Sequence, residues 1–249
     1  MPILNKDSKH HILIPLFIVL FLWLCFWLQY NNIINWRELG VFPREKFGLY
    51  GIVLSPFIHA NLQHLLNNTI SLLFLLLALG YFYPSAFYKV LIFSVILSGI
   101  GTWFIGRPSF HVGASGVIYA LVSFLFFKGI LSKHYRLMAL SFLVVFQYGG
   151  MIWYMFPDVE THISWEGHLS GFIAGAILAL AIATPVLYKE IKYDWEHPDF
   201  NPALDPFMKH FDSKGKFKNN PNQHATYHEN KKIVYHIVAA EEEDIDELK

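Results

Sequence analysis

Six stretches of this chain contain no Asp, Glu, Lys or Arg: Ile12–Leu28, Leu65–Tyr83, Val90–Ile105, Ser115–Phe127, Leu137–Tyr154 and His168–Tyr188. A membrane-spanning helix needs about 20 predominantly apolar residues, and these runs reach or approach that length. The chain as a whole is 54% hydrophobic and only 15% charged, against about 25% charged in soluble domains. The pattern predicts an all-α, polytopic membrane protein built as a six-helix bundle. The first run lacks a small-residue cleavage site and is followed by aromatics and Asn, so it reads as an uncleaved anchor. The only cysteine, Cys25, lies inside that run, has no partner for an internal disulfide and reads as a packing residue.

Charge is concentrated at one end. Residues 188–249 hold 9 Lys and 13 Asp or Glu, 22 of the 38 charged side chains. The expected organisation is a cytoplasmic N-terminus (1–11), a membrane domain (12–188) and a polar, flexible cytoplasmic tail (189–249). Within the tail, "KKIVYHIVAA" alternates weakly and is a candidate strand. Orientation follows from Lys and Arg in the short loops. Lys6, Lys9, Lys89, Lys128, Lys133, Arg136, Lys189 and Lys192 fall on one side; Arg37, Arg44, Lys46 and Arg107 fall on the other. Both termini are therefore expected in the cytoplasm, in a bacterial cytoplasmic membrane. Spans two, four and six then begin at the outer face. Glu166 is counted with the outer loops.

Polar side chains at membrane depth are costly and usually functional. His64 and Asn68 open the second span, Ser115 the fourth and His168 the sixth. Three distant segments thus bring His, Asn, Ser and His to one level. From Ser115 to Lys128 is 13 steps, about 20 Å of helix. With Lys128 at the inner boundary of a core about 30 Å thick, Ser115 sits well below the outer surface. Irregular backbone at that depth survives only within protein or beside water, so a recessed aqueous pocket with Ser115 at its floor is expected. Gly113 and Gly116 permit a tight entry into the fourth span and close approach of a neighbour. Gly171 and Gly175 form a small-residue stripe on the face of the sixth span that carries His168, and that face can press against the fourth.

A serine hydroxyl is a weak nucleophile without an adjacent base, and a neutral imidazole can take its proton and return it to a leaving amine. The spans hold no carboxylate to orient the imidazole, but Tyr119, four residues after Ser115, can hold the ring by stacking. His64 and Asn68, at i and i+4, share a face and can donate to an oxyanion, as can free N–H groups at the start of the fourth span. Asn67 is off that face. His111 and His162 are expected to be solvent-facing near the pocket, and Trp23, Trp103 and Trp153 to face lipid or pack.

In "HANLQHLLNN" (His59, His64, Asn68), "GASGVIYA" (Gly113, Ser115, Gly116, Tyr119) and "GHLSGFIAG" (His168, Gly171, Gly175), the chain resembles the rhomboid family of intramembrane serine proteases. Their order and the six-span layout match over about residues 12–187. The resemblance implies a Ser115–His168 dyad, an oxyanion site from His64, Asn68 and the Ser115 N–H, and Tyr119 packed on the His168 ring. It implies single-span membrane-protein substrates cut near or just inside the outer surface, with no metal, cofactor or nucleic acid. It also implies a mobile gate, for which Gly149–Gly150 and "PDVETHISW" are the candidates. His59 is either a support of the site or an interfacial loop residue. Many relatives carry a Trp-Arg pair nine residues before the first His of the second-span motif. This chain has Tyr50 and Gly51 there, with Trp36–Arg37 further upstream.

No HExxH motif suggests zinc, and no Asp lies in a span to form an aspartyl dyad. Two other readings remain: an inactive rhomboid relative that binds membrane clients, and a small-solute transporter. The second would usually carry an internal repeat or intramembrane charges.

Overall fold

The computed structural model describes residues 8–31, 36–157, 159, 163–183, 193, 200–201, 204–205, 207–212 and 214–218. Asp158, Glu160, Thr161 and His162 of "PDVETHISW" and the candidate strand "KKIVYHIVAA" lie outside them. Among the described residues the chain is helical, with two isolated bridges and no strand. It divides into two compact units, Met1–Tyr188 and Lys189–Lys249. The described part of the second holds a short 3-10 turn, Met208–His210, and a bridge between Phe211 and Phe217.

In the first unit the helices are α1 (Ser8–Tyr30), a short α2 (Gly51–Leu54), α3 (Leu62–Phe82), α4 (Phe87–Ile105), α5 (Ser115–Leu131), α6 (Tyr135–Tyr148) and α7 (Trp165–Ala181). Four segments are long and apolar enough to cross a membrane: Leu13–Tyr30, Leu62–Phe82, Pro84–Ile105 and Tyr135–Met155. Ser115–Leu131 and Trp165–Ala181 are shorter apolar helices. This is an integral, multi-pass membrane protein. Its exposed large side chains, among them Phe17, Leu20, Ile92, Phe93, Phe142, Phe146 and Leu180, form the apolar exterior that a lipid solvent requires.

α5 is the hub of the bundle. Val117, Ile118, Tyr119, Ala120, Leu121, Phe124 and Leu125 are all buried, against α3, α4, α6 and α7. Lipid tails are as apolar as leucine, so close backbone approach and interhelical hydrogen bonds must hold such helices together. Small residues supply the approach. A methyl group at Gly171 or Gly175 would overlap the carbonyl oxygen of Gly116 or Ala120, and one at Gly129 would overlap Ser141 and Leu137 of α6. Hydroxyls supply the bonds: Ser123 Oγ donates to Phe172 O at 2.7 Å and Ser141 Oγ to Phe126 O at 2.8 Å.

Several boundaries differ from the sequence expectation, and those of α5, α6 and α7 differ for local reasons. α7 begins at Trp165, one turn before His168, because Ser164 caps it and accepts from Gly167 N at 3.2 Å. Glu166 is therefore a buried member of the helix's first turn rather than a loop charge, and a carboxylate does lie within the helix that carries His168. α5 runs on to Leu131 and includes Lys128, which is buried rather than set at a wet boundary. Its Nζ donates to the carbonyls of Ala179 and Ile182, satisfying orphan acceptors at the end of α7. The fifth apolar run does not continue as one α-helix to Tyr154. α6 stops at Tyr148, and Gly149–Met155 forms a 3-10 segment.

Candidate active site

The entry to α5 is built around a backbone shape that only glycine accepts readily. Gly113 has φ +110, in the region that L side chains rarely adopt, and its N–H donates to Ser55 O at 2.9 Å. An added Cβ there would stand 2.7 Å from His64 Nε2 and 3.5 Å from Asn68 Nδ2. The His64 ring and the Asn68 amide thus lie directly against the turn that leads into Ser115, the first residue of α5. Both come from one face of the first turns of α3, which Asn61 starts by accepting from His64 N at 2.8 Å.

His59 is fully buried behind this pair. Asn68 Nδ2 donates to His59 Nε2 at 3.0 Å, and the His59 and His64 rings meet edge to face with centroids 5.1 Å apart. The His59 backbone is tied to α1: Gln29 Nε2 donates to His59 O at 2.7 Å, and His59 N donates to Gln29 Oε1 at 3.3 Å. His59 is therefore packed in the interior against the His64–Asn68 pair rather than exposed in a loop. Burial, reinforced by the neighbouring His64, pushes its pKa down to about 3, so the ring is neutral and able to accept from Asn68.

His168 stacks on Tyr119, with ring centroids 4.2 Å apart and planes 14° apart. Its Nδ1 lies 2.9 Å from Tyr154 O. A carbonyl only accepts, so Nδ1 carries the hydrogen and Nε2 of the neutral ring is left with a lone pair. Tyr119 is held in turn by its hydroxyl, which donates to Met151 O at 2.6 Å. Close packing of α7 on α5 brings the Gly167 carbonyl to 3.4 Å from the position of a Cβ on Gly116, the residue after Ser115. Among the described residues no hydrogen bond joins Ser115 to His168.

A small cavity of about 30 Å³ lies beside Ser115, bounded by Ser55 and Pro56, by Ser98, Gly99 and Thr102 of α4, and by His111 and Ser164. His111 is not solvent-facing. It is buried, pairs by backbone with Val41, and places Nδ1 2.6 Å from Ser164 Oγ and Nε2 3.0 Å from Arg107 O. Burial holds its pKa below the ordinary histidine value, against the opposing pull of its bond to Arg107 and of the Glu166 charge.

The segment between α1 and α3 has no room for an arginine at position 51, where many relatives carry the second residue of the Trp-Arg pair. A side chain at Gly51 would overlap the backbone of Gly40 and Val41. The cation that ties this loop down is Arg44, whose guanidinium donates to Phe104 O at 3.0 Å and Gly106 O at 2.9 Å at the end of α4. Trp36–Arg37 forms a separate 3-10 turn. Trp103 Nε1 donates to Glu45 O at 3.0 Å and Trp23 Nε1 to Thr69 Oγ1 at 3.1 Å, so neither indole is merely lipid-facing. Among the described residues no cluster of three or more His, Cys, Asp or Glu could hold a metal ion.

The family model for the Rhomboid domain matches residues 46–185. An uncharacterized protein of Mycobacterium tuberculosis (strain H37Rv) is 35% identical over 154 residues, covering 59% of this chain and 64% of that protein. An uncharacterized protein of Mycobacterium leprae (strain TN) is 34% identical over 145 residues, covering 55% of this chain and 57% of that protein. A protein of Acanthamoeba polyphaga mimivirus whose name carries the word rhomboid is 31% identical over 139 residues, 53% of this chain and 75% of that protein. The chain thus spans less than two thirds of the length of these mycobacterial relatives.

Proposed function

The chain belongs to the rhomboid family, and from that premise we propose that it is an intramembrane serine endopeptidase that cuts single-span membrane proteins with a Ser115–His168 dyad. One observation carries the reading. His168 lies flat on Tyr119, one helical turn beyond Ser115, with Nδ1 committed to Tyr154 O. Its basic nitrogen, Nε2, is the one available to the serine.

In this reading Ser115 Oγ attacks the scissile carbonyl carbon while His168 Nε2 takes the hydroxyl proton. The carbonyl oxygen becomes an oxyanion and accepts hydrogen bonds from His64, Asn68 and the Ser115 N–H. Asn68 has one amide hydrogen engaged by His59 and a second free for this purpose. Collapse of the tetrahedral intermediate breaks the C–N bond, and His168 gives its proton to the departing amine. Water, deprotonated by the same imidazole, then hydrolyses the acyl-enzyme. The chemistry calls on no metal or cofactor.

The membrane layout belongs to the same proposal. α5 and α7 have 17 residues each, about 25 Å of helix, which falls short of a core about 30 Å thick. Together with the four longer helices they complete six spans. Both termini lie in the cytoplasm of a bacterial inner membrane, and 189–249 is a cytoplasmic tail. Gly149–Gly150, where α6 gives way to a 3-10 segment, belongs to the gate through which a substrate enters.

One observation favours a second reading, a client-binding relative without activity: Ser115 and His168 share no hydrogen bond. Catalytic hydrogen bonds are often long before substrate binds, so the protease reading stands. Purified full-length protein and a single-span substrate decide between them. The protease reading expects cleavage that Ser115→Ala abolishes, and fluorophosphonate labelling that maps to Ser115 and disappears in His168→Ala. Equal behaviour of wild type and Ser115→Ala would leave the client-binding reading.

A further inference from the structure

The turn that delivers Ser115 and the helix start that delivers His168 are joined by four side chains of which the dyad chemistry makes no use. Glu166 is 1% exposed, and its Oε1 accepts from Arg107 N at 3.1 Å. The Arg107 guanidinium reaches the same carboxylate, with Nε 3.7 Å from Oε1, and also donates to Ile163 O. Arg107 O accepts from His111 Nε2, because a carbonyl cannot donate. That fixes the tautomer of a neutral His111 ring. Nδ1 is then an acceptor, so the Ser164 hydroxyl donates to it at 2.6 Å. The same Ser164 oxygen accepts from Gly167 N, and Ser164 O accepts from His168 N at 3.2 Å.

The result is a closed circuit. It starts in the segment before Gly113, crosses to the first turn of α7 at Glu166, and returns through Ser164 to His111. His111 precedes Ser115 by four residues, and Glu166 precedes His168 by two. A carboxylate in a protein interior is expensive unless paired and hydrogen-bonded. Placed at a helix N-terminus and against an arginine, it is tolerated, and its removal would leave Arg107 N without its acceptor.

We propose that Glu166, Arg107, His111 and Ser164 form a clasp that positions the Ser115 turn against the start of α7, with Glu166 as its centre. The clasp touches no reacting atom in the mechanism proposed above, on which its catalytic consequence rests, and acts by fixing the spacing of the dyad. Misplacing reacting groups by about 1 Å can cost about 100-fold in rate.

The test uses full-length protein reconstituted in liposomes and two variants, Glu166→Ala and Glu166→Gln. Gln keeps an oxygen acceptor for Arg107 N and loses only the charge. The readouts are kcat and KM on a single-span substrate, the rate of fluorophosphonate labelling of the folded fraction, and hydrogen exchange of residues 106–113. The clasp expects Glu166→Ala to lower kcat and labelling by about 10- to 100-fold with KM nearly unchanged, and to speed exchange in 106–113. Glu166→Gln is expected to recover most of the loss. Unchanged exchange in 106–113, or faster exchange with wild-type kcat and labelling, would overturn it. If Glu166→Ala does not fold, His111→Ala, which breaks the bonds to Arg107 O and Ser164 Oγ, is read in its place. Wild-type protein that neither cleaves nor labels would count against the protease reading instead, and the exchange measurement would then decide the clasp by itself.

Discussion

Gly171 of α7 has no room for a side chain, because the carbonyl oxygen of Gly116 in α5 occupies the place its Cβ would take. The neighbour is backbone of the hub helix, one residue after Ser115, and it cannot rotate away. Gly171→Ala is therefore expected to force the two helices apart. Overpacking of this kind costs about 1–3 kcal/mol or more, and here it also separates His168 from Ser115. Thermal unfolding in detergent should fall by several degrees, and fluorophosphonate labelling should drop further than the folded fraction does. Wild-type labelling in a folded Gly171→Ala protein would contradict the close-approach argument.

Tyr119 contributes two separable interactions, the stack on His168 and the hydroxyl bond to Met151 O. Tyr119→Phe keeps the ring and removes the bond, at a cost of about 1 kcal/mol in stability. Its labelling rate should stay within a few-fold of wild type. Tyr119→Ala removes both and frees the imidazole, so labelling should fall by an order of magnitude or more. Equal rates for the two variants would show that the stack does not orient His168.

Lys128 closes the opposite end of the α5–α7 pair through its bonds to Ala179 O and Ile182 O. Lys128→Met keeps the length of the side chain but leaves those carbonyls without their donor. A loss of about 1–3 kcal/mol in unfolding free energy is expected. Because the site lies at the other end of the helices, kcat of the folded fraction should remain near wild type.

The pKa of His59, lowered to about 3 by burial and by His64, gives a signed pH dependence. An unfolded histidine titrates near 6.5. The stability contributed by the neutral ring is full above about 6.5 and is lost as pH falls toward 3, because only the unfolded chain takes up the proton in that window. The slope from this group approaches about 1.4 kcal/mol per pH unit. Melting temperature measured from pH 8 to pH 4 should decline below 6.5, and His59→Asn should decline less steeply. Identical profiles would assign the acid sensitivity to other groups, His111 among them.

Much of this molecule was legible because membrane helices declare themselves locally. Charge-free apolar runs mark the long helices, and the glycines of "GASG" and "GHLSGFIAG" mark where backbones approach, since only absent side chains permit that contact. Helical spacing put Tyr119 on the face of Ser115, and the resemblance implied its packing on the His168 ring.

What sequence could not give depends on which groups meet across the bundle. Glu166 and Lys128 looked like boundary charges, because a residue's neighbours in the chain say nothing about a backbone amide or carbonyl waiting on another helix. Arg107 N receives the one, and the end of α7 receives the other. His111 looked solvent-facing until Ser164 and Arg107 were seen to use both of its nitrogens. Apolar periodicity and small-residue spacing are properties of a single segment, so the sequence by itself determined the helices and the faces they present. Satisfaction of buried polar groups is a property of pairs of segments, so only the tertiary structure decided which charges are buried, which partners they meet, and how the turn of Ser115 is held against the helix of His168.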